Sequence, residues 1–300
     1  MQRYFVLFLF LAGVIALNGC TTVIDAKLDT GPTQLSVDGT LTDLPGQQTI
    51  RLTQTAAYFD NSQPTPATSA TVTVSDNTGK TYSFIDPDND GYYVWQPSAK
   101  DTLGRVGRSY QLTIAYQGET YRASTKMNRV PPIDSIIFTK RKLSPFSKTE
   151  GYRAEFYATD IAGAADYYRI RFSRNGELQN KPGNIITSQD GGFRGATNVT
   201  DGLVFIAPIR RSVNPDSLYN LNDVVKVEVQ SITLADFDFW QSLRTQITNG
   251  GLFATPSVNL PTNIINTNAA GRKATGFFIT SAVRTKTVSV TDANIRVRED

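Results

Sequence analysis

Apolar and polar residues alternate at period two through most of the first half of the chain. Leu35-Ser36-Val37-Asp38-Gly39-Thr40-Leu41 does so, and so does Thr49-Ile50-Arg51-Leu52-Thr53. This is the pattern of strands with one buried and one wet face. A Pro- and Ser-rich loop, Asp60 to Ser69, precedes Ala70-Thr71-Val72-Thr73-Val74-Ser75, and the turn Asn77-Thr78-Gly79-Lys80 leads into Thr81-Tyr82-Ser83-Phe84. Tyr92 to Trp95, Ser109 to Ile114 and, beyond a Gln117-Gly118 hairpin turn, Thr120 to Ala123 complete the series. About seven short strands at this spacing over residues 34–128 predict an Ig-like or fibronectin-like β-sandwich.

Val130-Pro131-Pro132-Ile133 marks a boundary, since two prolines hold an extended link and cannot both donate to a ladder. Longer strands follow in residues 129–300: Ser135 to Lys140, Tyr152 to Thr159, Tyr167 to Ser173, Val224 to Ile232, Thr275 to Val283 and Thr285 to Val290. Between them Leu234, Phe237, Trp240 (or Gln241), Leu243 and Ile247 recur at helical spacing. Thr233 with Asp236 resembles a capping box and Asn249-Gly250-Gly251 a stop, which predicts one amphipathic helix over 233–248 with its aromatics in the core. The expected architecture is a larger antiparallel β-sandwich or flattened barrel carrying that helix.

Two stretches lack periodicity, Asn175 to Asp201 and Asn249 to Lys273. Loops of that length are often binding surfaces. Phe193-Arg194 in the first and Leu252-Phe253 in the second are candidate partner anchors, because aromatics and arginine dominate interface hot spots. Packing of the same residues onto the body is the competing reading.

Composition narrows the chemistry. The 300 residues contain no histidine and one cysteine. Without histidine there is no Ser-His or Cys-His pair and no zinc site of ordinary type. Carboxylate-pair hydrolysis, Ser-Lys chemistry and calcium sites remain open. Asp86-Pro87-Asp88-Asn89-Asp90-Gly91 reproduces the start of a calcium loop, with oxygens from Asp86, Asp88 and Asp90 at positions one, three and five. Pro97 stands where the bidentate glutamate belongs, and a polar hairpin turn explains the same residues. Asp236 and Asp238 do not form an acid pair, because residues two apart point to different faces of a helix.

The N-terminus gives location. Arg3 precedes an uncharged stretch, Tyr4 to Leu17, and Leu17-Asn18-Gly19-Cys20 ends it. The segment is too short and too early for a spanning helix. It resembles a bacterial lipoprotein signal, over residues 1–19, with Asn18 departing from the usual small residue. That resemblance implies lipidation of Cys20, a tether over 20–33 and attachment to a membrane through acyl chains. Removing the segment takes Arg3 from the 30 basic residues, leaving 29 against 27 acidic ones. Near neutrality argues against nucleic acid as partner.

Several motifs follow one another in a familiar order: Gln34-Leu35-Ser36-Val37-Asp38-Gly39, Ala70 to Asp76, Gly107-Arg108-Ser109-Tyr110-Gln111-Leu112 and Val130 to Ile136. In the second half come Asp160-Ile161-Ala162-Gly163, Gly250-Gly251-Leu252-Phe253-Ala254-Thr255-Pro256 and Gly276-Phe277-Phe278. Together they resemble the Bacteroidota outer-membrane lipoproteins that share domain of unknown function 4249. The resemblance implies no defined catalytic residues and no cofactor. It implies an accessory or binding subunit of a TonB-dependent receptor, acting on an unidentified ligand, on a membrane face the sequence leaves open. A free-standing structural or adhesive surface lipoprotein is the alternative, and a carboxylate-based hydrolase the third reading.

Overall fold

The computed structural model describes residues 31–57, 60, 62–98, 101–144, 146–195, 197–250 and 258–296. In the first half, β1 (Leu35–Thr42), β2 (Gln48–Gln54), β3 (Thr71–Asp76), β4 (Thr81–Phe84), β5 (Tyr92–Trp95), β6 (Ser109–Tyr116) and β7 (Glu119–Lys126) fall where alternation places them. β1, β2 and β5 lie in one sheet, and β7, β6, β3 and β4 in the other. Val37, Ile50, Leu52 and Tyr93 from the first sheet and Val72, Val74, Leu112 and Ile114 from the second form a core no more than 1% exposed. Gln117 and Gly118 turn β6 into β7 with φ of 48° and 79°, the left-handed pair a two-residue hairpin requires. The alternating residues build a β-sandwich.

The second half adds β8 (Ile133–Lys142), β9 (Glu150–Ala158), β10 (Tyr167–Arg174), β11 (Glu177–Leu178), β12 (Ile186–Gln189) and β13 (Val224–Ile232). Beyond these come β14 (Ile265–Asn266), β15 (Ala274–Ser281), β16 (Val283–Ser289) and β17 (Ile295–Arg296). Its helices are α1 (Thr197–Thr200), α2 (Ala207–Arg210) and α3 (Leu234–Thr248). One open sheet runs β17-β8-β9. The other runs β11-β10-β13-β16, with β12 also on β10. Phe138 and Phe156 of the first sheet meet Tyr219 and Phe205 edge to face at 6.1 and 5.8 Å, over Ile170, Phe172, Val227 and Val229 of the second. This is a sandwich with open sheet edges. Asn175 to Asp201 is less irregular than expected, because β12 pairs with β10 and all four of its residues are buried.

Two late strands cross back over the Val130–Pro132 link. β14 pairs with β7, and β15 runs parallel to β1, so the first sandwich has sheets of four and five strands. Gly276 makes this approach feasible. It lies opposite Val37 with φ of 89°, and a Cβ there would overlap the Val37 carbonyl. After Ala282 the same chain becomes β16 in the second sandwich.

Helix α3 lies on this seam. Thr233 and Asp236 form the predicted capping box, with bonds of 2.8 and 3.2 Å. Phe237 packs with Ile232, Phe277 and Ile279, and Phe239 stacks on Phe277 at 4.6 Å. Leu234 and Ile247, expected on the same apolar face, are each 47% exposed, because contact is made by the aromatics of the middle turns. The Arg169 guanidinium lies 3.5 Å from the Trp240 ring centre, a cation–π contact. Burial, with the charge of Arg171 beside it, pushes Arg169 down to about 9, so it stays protonated at neutral pH.

Candidate functional site

The outer face of the β17-β8-β9 sheet carries the densest convergence of charge. Antiparallel register sets Thr139 opposite Arg153 and Ile137 opposite Glu155, and parallel pairing sets Arg296 beside Thr139. Residues two apart share a face, so Thr139 and Arg141 on β8 stand over Arg153, Glu155 and Tyr157 on β9. The wall is the segment after α2. There Asn214 accepts from the Ala154 N–H at 2.8 Å and donates to the Ala154 carbonyl at 2.9 Å. It continues the pairing of the β9 edge between the backbone bridges Tyr152–Tyr219 and Thr159–Val204, and its bond to the Arg211 carbonyl pins that residue beside the sheet.

Thr139, Arg141, Arg153, Ala154, Glu155, Arg211 and Asn214 line a cavity of about 270 Å³. Glu155 sits at its base with its side chain 9% exposed. Arg211 Nε donates to Glu155 Oε2 at 3.0 Å, and an Arg210 nitrogen lies 2.9 Å from Oε1. Arg210 also covers the Tyr157 ring at 4.4 Å. Among the described residues neither Arg141 nor Arg153 has an ion-pair partner. The cavity thus holds three guanidiniums, those of Arg141, Arg153 and Arg211, and one carboxylate, which is already held by Arg211 and by Arg210 beside it. A concave site with this imbalance focuses positive potential. Its chemistry is that of binding an anion.

The residues singled out in the sequence lie elsewhere. Phe193 is 56% exposed. Its neighbour Arg194 is drawn to α3, 2.5 Å from Asp238 and over the Phe237 ring at 6.0 Å. The structure therefore gives the two halves of that pair different surroundings. Leu252, Phe253 and Cys20 lie outside the described residues. Asp86 accepts from the backbone N–H groups of Asp90 and Gly91, both at 3.1 Å, and Asp90 accepts from Tyr92 at 3.0 Å. These carboxylates shape a turn between β4 and β5. Among the described residues no group of three acidic, Cys or His side chains is placed to hold a metal ion. A wider groove of about 310 Å³ beside Asp86 is walled largely by Ser, Thr and apolar residues and lacks convergent charge.

Asp236 and Asp238 diverge as helical geometry requires, one into the cap and the other to Arg194. A different acidic group is buried near the link. Asp160, Asp166 and Asp190 are 4%, 6% and 0% exposed. Asp160 accepts from Tyr168 at 2.6 Å and from the Gly202 N–H at 3.0 Å. Asp166 accepts from Arg129 Nε at 2.8 Å, and Asp190 from the Asp166 N–H at 2.7 Å. These bonds close loops in the interior, away from any approaching substrate.

A two-sandwich β-protein with a basic cleft on its second half is the class that fold and site define. The chain matches the family described as Domain of unknown function (DUF4249) over residues 21–287 and belongs to it. No curated protein matches the chain. Among the described residues no helix is long and apolar enough to cross a membrane.

Proposed function

We propose that the chain is a non-catalytic accessory subunit, tethered to the outer membrane through Cys20, that binds a TonB-dependent receptor and captures or gates its substrate. The far end of the second sandwich supports this reading. β8 starts at the Pro131-Pro132 link and runs outward to a hairpin in which Phe146 is 96% and Leu143 48% exposed. Lys142 and Lys148, also exposed, flank them. An aromatic anchor with cations on both sides fits a receptor surface that presents apolar and acidic residues.

Co-purification from outer membranes in mild detergent tests the proposal. A receptor barrel in stoichiometric amount is expected with the native chain and lost with Phe146→Ser combined with Lys142→Glu. Recovery of the native chain alone at native abundance sinks the reading and puts a free-standing structural or adhesive role ahead.

A further inference from the structure

We infer that the cleft over β8 and β9 is a binding site for a phosphate group, with Arg141, Arg153 and Arg211 as its cationic ligands and the Thr139 hydroxyl as an added donor. The three guanidiniums come from three separate stretches of chain: β8, β9 and the segment that Asn214 ties to the edge of β9. Asn214 donates both amide hydrogens, to the carbonyls of Ala154 and Arg211, so it serves as scaffold. Glu155 holds Arg211 through its Nε, which leaves the terminal nitrogens of that lining guanidinium outside the bond.

The charge and shape of the site select among anions. One guanidinium fork satisfies both oxygens of a monocarboxylate, which would leave two arginines here uncompensated. A phosphate monoester carries up to two charges and three terminal oxygens, and can engage several forks at once. The cavity of about 270 Å³ is just below the usual range for small-molecule sites, roughly 300–1,000 Å³. It fits a phosphate and a short substituent better than a large ligand. The site is independent of the receptor reading, since it uses neither Phe146 nor the loops beside α3.

The test is calorimetric titration of the full chain, held in zwitterionic detergent at low ionic strength, with inorganic phosphate and with glycerol 3-phosphate. One saturable site is expected, weakening with added salt. Arg141→Ala and Arg153→Ala should each reduce affinity by about tenfold, as loss of a charge-assisted fork does. Both side chains are partly or fully exposed, so the variants should fold, and Arg122→Ala on β7 should bind as the native chain does. Phosphatidylcholine vesicles containing phosphatidic acid tell the sources apart. If they compete with soluble phosphate, the ligand group belongs to a lipid; if only glycerol 3-phosphate saturates the site, it belongs to a soluble ester. No saturable binding at millimolar phosphate, or unchanged affinity in both arginine variants, overturns the assignment.

Discussion

Asp76 in the first sandwich and Asp166 in the second are each 6% exposed and each paired with an arginine, at 2.6 and 2.8 Å, yet their carboxyls shift in opposite directions. Burial pushes both up. For Asp76 the Thr78 hydroxyl and N–H, the Lys80 N–H and Arg108 together outweigh burial and hold it below the usual aspartate range. For Asp166 burial prevails over Arg129, and the negative charge of Asp160 adds to it, so the carboxyl rises. Asp190 rises in the same way. Two differences set the sign: more donors surround Asp76, while Asp166 bears a heavier desolvation cost with a second carboxylate beside it. The first sandwich buries an acid as part of a turn; the second crowds several acids together to close loops at its seam.

The seam itself gives the sharpest way to break that contrast. Gly276 and Gly79 have nearly the same φ, 89° and 87°, but only Gly276 has another backbone against it. Gly276→Val should cost more than about 4 kcal/mol, combining strain with loss of β1–β15 pairing. Gly79→Ala, at a turn in open space, should cost about 1 kcal/mol. Thermal unfolding compares them, and similar losses would mean that the shared strand is dispensable.

Core truncations ask whether the sandwiches unfold separately. Leu112 and Phe278 are both fully buried, and their core is continuous with that of the second sandwich. Leu112→Ala should cost about 2–5 kcal/mol and Phe278→Ala about 3–5 kcal/mol. Each should shift one common transition in urea. Two transitions, with Leu112→Ala moving only one, would divide the molecule at the Pro131-Pro132 link.

A smaller effect than those of the core truncations concerns pH. Burial pushes Asp236 up to about 6, against the pull of its bonds with Thr233. Between about pH 4 and 6 the native chain therefore holds a proton that the unfolded chain has released. The stability this gives is complete below pH 4 and is lost as pH rises through 6. Measured as native minus Asp236→Asn, it should fall by on the order of 2 kcal/mol from pH 4 to 7. Asp76→Asn should give the opposite slope, because the lowered carboxyl stabilises the fold above its unfolded value and loses that contribution on acidification. Urea midpoints at pH 7.5 and 4.5 read Asp236, and midpoints at pH 4.5 and 2.5 read Asp76; slopes of the same sign would refute the contrast.

The strands of the first sandwich were legible because one face of each is wet, as in the alternating burial of β1 and β6. β12 and the end of β15 are buried on both faces, so no alternation marks their orientation. The pairing of Leu35 with Ala274 was not legible at all, since no local pattern marks a partner so distant in sequence. Thr233 and Asp236 predicted their cap because the motif is local. The cleft was missed for the opposite reason. Thr139-Lys140-Arg141-Lys142 reads as a basic run, but only the β8–β9 register brings Arg153 to it, and only Asn214 brings Arg211. Phe146 stood one residue after a proline in a polar turn, where nothing in the sequence distinguishes an anchor from a packed side chain.

A strand that leaves one sandwich and enters the next is also a load path. Traction applied at Thr33 reaches β1 and is carried in shear along the whole register of β1 on β15, from Leu35–Ala274 to Thr42–Ser281. From there it passes through Ala282 as covalent backbone into β16, alongside the prolyl link. Parallel strands pulled lengthwise must break all their bonds together, whereas strands peeled from one end break them in turn. A pull at Thr33 is thus delivered to the far sandwich through hydrogen bonds that must yield together.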